Sequence, residues 1–282
     1  MKISIITPCF KQLEWLRLCA ASVADQEGVP FEHIIQDAGS GPELLEWAGK
    51  QEKAKVFSEP DSGMYDAINR GFRRSEGEIV AWLNCDEQYL PGVLAKVAKF
   101  FGEHPEVDVL FGDALLIDEA GAILSYRRAV LPTLMHTRVS HLGTLSCATF
   151  VRSSVLQKGL FLKTEWKTIA DAVWVADFLT AKLRMATIPE PLAAFTITAT
   201  NLGQSNLARS ESELWRGSAP KWMRSLKPWL VLHYRVRKFL GGAYKLRQVT
   251  TRLYTLDSPQ ERVEVNSPRL GFGWARAERL PE

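Results

Sequence analysis

What this chain of 282 residues has little of narrows its class before any motif is found. It holds only four cysteines, Cys9, Cys19, Cys85 and Cys147, far apart and without a Cys-x-x-Cys pair. That spacing argues against a disulfide framework and a zinc knuckle and predicts reduced, mostly buried thiols. Long hydrophobic runs are missing too. No stretch reaches the roughly 18 to 20 apolar residues needed to cross a bilayer. The opening run from Ile3 to Ile6, closed by Thr7 and Pro8, is too short for the core of a secretory signal, so a cytosolic protein is expected. Acidic residues are absent between Arg216 and Arg252, where ten Lys or Arg stand; the overall charge is +3, so the rest of the chain carries −7. The charge pattern is that of an acidic body with a basic appendage. With 46% hydrophobic and 24% charged residues, and neither repeats nor low-complexity tracts, the composition suits an ordinary globular chain with one large core or two modest ones.

What is there begins with alternating periods. Lys2 to Thr7 reads as a buried strand, and Leu13, Leu16, Ala20 and Val23 then recur at helical spacing. The alternation continues: strand 31–36, helix 42–51, strand 55–57, helix 64–74, strand 78–83 and helix 91–101. Such an order implies an α/β fold with a parallel sheet covered on both faces. Ligands of such sheets bind beyond the carboxyl ends of the strands. The loops after Ile6, Ile35, Phe57 and Leu83 should therefore share one crevice, and three of the four carry an Asp. Beyond Val107 the strands are expected to shorten, with a hairpin joining 114–117 to 123–126 through Asp118-Glu-Ala-Gly121.

Three segments carry candidate chemistry. Asn84, Asp86 and Glu87 follow an apolar strand directly, and oxygen ligands there suit Mg²⁺ or Mn²⁺; a solvated turn with Asp86 capping the next helix explains the same residues. In the segment from Ser58 to Gly71, Pro60 and Gly63 make a tight turn, and Asp61 or Ser62 can cap a helix whose first turn holds Tyr65 and Asp66. Adding Asn69, this unit has more polar groups than capping requires. Asp37, in Gln36-Asp-Ala-Gly-Ser-Gly41, stands at a strand end where it can accept from a base or ribose, or shape an ordinary Gly-rich turn.

In this order and at these spacings the segments resemble the family 2 glycosyltransferases of the GT-A fold group. The opening strand ends in Thr7-Pro-Cys-Phe10, Asp37-Ala-Gly-Ser40 stands for the Asp-Gly-Ser-like turn, and Pro60 through Gly71 matches the bacterial pattern Pro-Asp-x-Gly-x-Tyr-Asp-Ala-x-Asn-x-Gly at every specified position. The resemblance covers roughly residues 1–205 and implies a Rossmann-like mixed sheet with helices on both faces. It implies donor contacts from Thr7, Pro8, Phe10, Asp37, Asp61, Gly63, Tyr65, Asp66, Asn69, Asn84 and Asp86. The family's metal motif looks like Asn84-Cys-Asp-Glu87 here, making Asp86 the ligand of Mn²⁺ or Mg²⁺, with Glu87 where a second Asp is usual. Ser146 and Cys147 stand where the family has His and Gln. Ile169-Ala-Asp-Ala-Val-Trp174 resembles the segment holding the catalytic base, which implies Asp171 in that role, with Asp177 as the nearest rival. The implied reaction is an inverting single displacement on a nucleotide sugar, a UDP-sugar before others, by a glycan or lipid-linked hydroxyl in cell-surface glycan or exopolysaccharide synthesis. A nucleotidyltransferase is disfavoured because the loop from Pro8 to Gln12 has no glycine to hold a triphosphate. A catalytically dead nucleotide-sugar scaffold is the alternative that the departures at Glu87, Ser146 and Cys147 raise.

Residues 206–282 form the expected extension, helical and then a hairpin of strands at 262–266 and 269–274 separated by Ser267-Pro268. Trp215, Trp222, Trp229, Tyr234 and Phe239 alternate with Arg216, Lys221, Arg224, Lys227, Arg235, Arg237 and Lys238. That mixture suits peripheral contact of 216–252 with the inner face of a membrane, or a helix packed on the catalytic body; no nucleic-acid motif accompanies it.

Overall fold

The structure, a computed structural model, describes residues 1–198 and 201–274. The chain opens with β1 (Ile3–Cys9), α1 (Leu13–Ala24), β2 (Phe31–Asp37), α2 (Pro42–Ala48), β3 (Ala54–Ser58), α3 (Met64–Arg74), β4 (Ile79–Trp82), β5 (Glu87–Tyr89) and α4 (Val93–Glu103). It continues with β6 (Val109–Ile117), β7 (Ile123–Arg127), α5 (Leu134–Val139), β8 (Thr149–Arg152), α6 (Ser153–Gln157), α7 (Ala170–Thr180) and β9 (Met185–Thr196). Three helices follow, α8 (Asn206–Gly217), α9 (Lys221–Ser225) and α10 (Lys227–Leu240), then β10 (Arg247–Leu253) and β11 (Val263–Leu270).

The main sheet has the order β3-β2-β1-β4-β8-β6-β9-β5, with β7 on β6. β3, β2, β1 and β4 are parallel, as the strand–helix alternation requires; β8 inserts antiparallel between β4 and β6, and β5 pairs antiparallel with β9. The result is the expected mixed α/β sheet. Successive side chains of β4 go to opposite faces, as strand geometry dictates. Ile79 and Ala81 join a core with α1 and α4, whereas Val80 and Trp82 join one with α3 and α7, where Phe72, Trp174 and Phe178 pack. Gly71, the last residue of the motif, lets α3 lie directly on β1, since a Cβ there would run into the side chain of Ile6.

Three expectations are corrected. Strands do not shorten after Val107: β6 and β9 are the longest in the sheet. Gly112 and Asp113 interrupt the apolar pattern of β6, but the Asp113 carboxylate is satisfied inside by the Tyr126 hydroxyl at 2.6 Å and the Ala129 amide at 2.8 Å, and the prolines of β9 fall at a shift of register. Second, Glu87 is not in the loop that holds Asp86 but starts β5. Third, the terminal hairpin is β10 against β11, one strand running through Ser267-Pro268. Pro268 is tolerated because the register shifts between Arg247 and Val249, leaving its position without a ladder partner. The predicted hairpin of β6 and β7 is present, with Ala114 opposite Arg127. Residues 275–282 of the extension lie outside the described residues.

Candidate active site

A cavity of about 800 Å³ opens where β1, β2, β3 and β4 end. Pro8 and Phe10 come from the first loop, Ala38 from the second, Asp61 and Gly63 from the third, and Asn84 and Asp86 from the fourth. Tyr65 reaches it from the first turn of α3, and Thr168 and Asp171 from the start of α7. The loops predicted to share a crevice do so, the chain from Pro8 to Asp86 being folded back to one rim by the parallel strands.

Thr7, Asp37, Asp66 and Asn69 are not among the lining residues. Thr7 is fully buried, its hydroxyl 2.8 Å from His33 Nε2. Asp37 organises the rim: its carboxylate accepts from the amides of Gly39 and Ser40, both at 3.1 Å, from the Ser58 hydroxyl at 2.6 Å, and from the Ser40 hydroxyl. Ser40 Oγ in turn accepts from the Lys11 amide at 2.7 Å, tying the first loop to the second. Asn69 donates to the Leu162 carbonyl at 2.7 Å and accepts from the Leu162 amide, fixing the segment before α7 onto α3. Neither Asp61 nor Ser62 caps α3. Gly63 does so with φ +123°, a conformation suited to glycine. Asp61 accepts from the Gly63 amide, and Asp66 reaches back to the Ser62 amide while pairing with Arg70 at 3.0 Å.

Electrostatics concentrates at Asp86 and Asp171, which face the cavity, and at buried Glu87 next to Asp86. Burial raises the Asp171 carboxyl above its ordinary value, against stabilisation from helix amides and from Tyr65, whose phenol is its hydrogen-bonding neighbour. Asp177 is turned elsewhere and pairs with Lys163 at 2.9 Å. Burial also raises Asp86; Glu87, fully enclosed, is raised by burial first and then by the charge of Asp86. Glu87 Oε2 accepts from the Asn84 amide at 2.8 Å, but its Oε1 and the Asn84 Oδ1 are buried with no hydrogen-bond partner.

Two orphaned buried oxygens beside a raised carboxylate are what a divalent cation would relieve. Among the described residues no group of three or more His, Cys, Asp or Glu gathers at one point. The donor set fits a hard cation held by one or two carboxylates and completed by phosphate oxygens better than a closed protein cage.

Other lining residues did not stand out in the sequence as site candidates. Asn201 donates to Asp86 Oδ2 at 3.4 Å from a loop 115 residues away. Leu145, Phe195, Leu202 and Trp274 add apolar lining to the same cavity and Ser146 a polar group, while Cys147 is fully buried. The only local hint was the polar run Asn201-Leu-Gly-Gln-Ser205 after a strand; the apolar lining arises from chain reversals that no local period encodes.

Residues 4–138 match the family model described as Glycosyl transferase family 2. A "PGL/p-HBAD biosynthesis glycosyltransferase" of Mycobacterium bovis (strain BCG / Pasteur 1173P2) is 34% identical over 119 residues, covering 40% of this chain and 46% of that protein. An uncharacterized glycosyltransferase of Mycobacterium tuberculosis (strain ATCC 25618 / H37Rv) is 31% identical over 114 residues, 39% of this chain and 44% of the relative. The chain thus spans about half the length of these curated relatives. Among solved structures, S. aureus TarS 1-349 in complex with UDP-GlcNAc superposes with a TM-score of 0.60 at 19% identity, over 88% of this chain and 76% of that one. The mannosyltransferase PcManGT from Pyrobaculum calidifontis in complex with GDP-Man and Mn2+ gives 0.58 at 14% identity, over 86% and 75%. At such identities the likeness is one of fold.

Proposed function

We propose that this chain, whose residues 4–138 match the glycosyl transferase family 2 model, moves a sugar from a nucleoside-diphosphate donor to an acceptor hydroxyl with inversion at the anomeric carbon. The observation that carries the reading is one cavity bringing the Pro60–Gly71 motif, Asp86 and Asp171 together. Asp171 accepts the proton of the acceptor hydroxyl as its oxygen attacks the anomeric carbon; a new C–O bond forms and the bond to the donor phosphate breaks, releasing the nucleoside diphosphate. The raised basicity of the buried Asp171 carboxylate suits proton abstraction. Pro8, Phe10, Asp61, Gly63 and Tyr65 form the donor side, with Asp37, Asp66 and Asn69 supporting their loops from behind.

Asp86, with Asn84 and Glu87 nearby, would hold Mn²⁺ or Mg²⁺, whose charge offsets that of the donor phosphates and of the departing diphosphate. A UDP-sugar is the donor we favour, in line with the UDP-GlcNAc complex of TarS. The acceptor is read as a glycan or lipid-linked hydroxyl of cell-surface glycan synthesis, which the apolar lining from Leu145, Phe195, Leu202 and Trp274 suits.

The test is a thermal-shift series with UDP, GDP, TDP and CMP, with and without Mn²⁺, on the intact chain, Asp86→Ala and Asp171→Asn. Metal-dependent stabilisation by one nucleotide, lost in Asp86→Ala and kept in Asp171→Asn, is expected, with sugar transfer or donor hydrolysis lost in both. Binding without turnover in the intact chain would leave the inactive-scaffold reading in its place, and turnover by Asp171→Asn would remove Asp171 from its role.

A further inference from the structure

The C-terminal helices carry two apolar faces, and only one of them is covered. Backbone bonds from the Leu226 amide to Trp222 and from the Leu230 amide to Leu226 run α9 into α10, so the two behave as one amphipathic rod. Its inner face is occupied: Met223 packs with Val139 and Ala219, and Tyr234 stacks on His136 with ring centroids 4.2 Å apart. On the outer face, Trp222, Leu226, Trp229, Val236 and Leu240 fall within about 40° of one line at 100° per residue. Leu232 and Phe239 lie beside them. Trp222 is 58% exposed, Trp229 and Phe239 70%, and Leu240 77%. A contiguous apolar stripe of this size on the outside of a soluble chain marks an interaction surface.

The charges say what kind of surface it meets. Lys221, Arg224, Lys227 and Arg235 are exposed on the same rod, and no acidic residue occurs from Arg216 to Arg252. A second copy of this chain would offer a mixed surface: outside that stretch, 32 acids are interleaved with 25 of the 35 cations. A rod with cations on its polar side and tryptophans exposed along the other instead matches a uniformly anionic plane with an apolar interior, where indole rings sit at headgroup level and each Lys or Arg near the surface adds to the attraction. We propose that the outer face of α9 and α10 docks this protein in the plane of an anionic lipid membrane, with Trp222, Trp229, Phe239 and Leu240 entering the headgroup boundary. The inference does not rest on the donor site, and its test needs no nucleotide.

The full chain is sedimented with vesicles of phosphatidylcholine alone and of phosphatidylcholine with about a quarter phosphatidylglycerol, while tryptophan emission is followed. Binding to the anionic vesicles with a blue shift, weakened by added salt, is expected. Trp222→Ser/Trp229→Ser should weaken it about tenfold or more, and so should Lys221→Glu/Arg224→Glu/Lys227→Glu, each with an unchanged melting temperature because these side chains are exposed. Failure of the intact chain to bind anionic vesicles overturns the proposal, as does binding indifferent to the tryptophan substitutions. A dimer in light scattering that Trp229→Ser dissociates, with no vesicle binding, would assign the face to a second copy instead.

Discussion

At the scale of single residues, the position of Asp171, the proposed base, is set by where α7 starts. Asp171 sits in its first turn, and the backbone just before is held from outside the motif region by Glu211 of α8, which accepts from the Lys167 amide at 2.8 Å, the Thr168 amide at 2.9 Å and the Thr168 hydroxyl at 2.6 Å. Burial works to raise the Glu211 carboxyl, but those donors outweigh it and hold the group below its ordinary range, as expected of a carboxylate that accepts from several backbone amides. Glu211 is therefore a positioning residue for Asp171. Glu211→Gln keeps the shape but weakens the charge-assisted bonds; kcat should fall about tenfold with donor KM held, because a small misplacement of a catalytic group acts on the reacting geometry and not on donor binding. Equal losses in both constants, or none, would count against this role. The pH profile follows from Asp171 itself. Its folded pKa is raised by burial, and only the ionised form accepts a proton, so activity should be lost as pH falls through a value above the ordinary 3.8 of Asp. An acid limb of kcat at or below 3.8 would show the carboxyl to be unperturbed during turnover.

At the scale of elements, β1 and its neighbours carry both the site and much of the stability. Gly71→Ala adds helix propensity worth about 1 kcal/mol, but its methyl meets Ile6, a stiff β-branched residue of the central strand, at a cost of about 1–3 kcal/mol. The overpacking should win, and the urea midpoint should fall; a rise would mean that α3 can lift off β1 freely. On β2, His33 is buried with its Nε2 2.8 Å from the Thr7 hydroxyl of β1, and burial lowers its pKa to about 3. The unfolded chain binds that proton near pH 6.5 and the folded chain does not, so stability is present above 6.5 and lost as pH falls toward 3. The loss from this group should be on the order of 1–2 kcal/mol between pH 6.5 and 5, and His33→Gln should flatten the stability profile in that window. What the sequence made legible here was periodicity and turn chemistry: α3 spans the predicted residues, and the loops after β1 to β4 share a rim. Motif matching did not distinguish residues that face the cavity, such as Asp61 and Tyr65, from those that hold its walls, such as Asn69 on Leu162. Both kinds fall on the same turn and helix, and only packing against α7 separates them. Nor did it foresee β5, three residues long and paired with a strand more than a hundred positions away.

At the scale of the whole molecule, the basic extension is built into the site it follows. Two grips tie its hairpin to β5, the strand that begins with Glu87. The Gln88 side chain exchanges hydrogen bonds with the Tyr254 backbone, 2.8 Å to the carbonyl and 3.0 Å from the amide. Arg262, buried, donates to the Tyr89 carbonyl at 3.0 Å and to Asp25 at the end of α1 at 2.9 Å. On the other side Trp215 of α8 packs with Ile169, Val173 and Ala176 of the segment carrying Asp171. The extension thus braces both carboxylates, Asp86 through the strand that succeeds it and Asp171 through its helix. Arg262→Ala should cost about 3 kcal/mol in urea denaturation, since it strands Asp25 and takes a donor from the carbonyls of Ser22, Tyr89 and Arg252. Asp25→Ala leaves Arg262 its acceptors on the Ser22, Tyr89 and Arg252 carbonyls and should cost less, and the double variant should cost less than the two changes summed. If the hairpin braces the metal side of the site, Arg262→Ala should also weaken Mn²⁺-dependent stabilisation by the nucleoside diphosphate beyond what its lower melting temperature explains, whereas Trp229→Ser on the outer face of α10 leaves it intact. Equal nucleotide responses in the two variants would mean that the hairpin stabilises the chain without acting on the site.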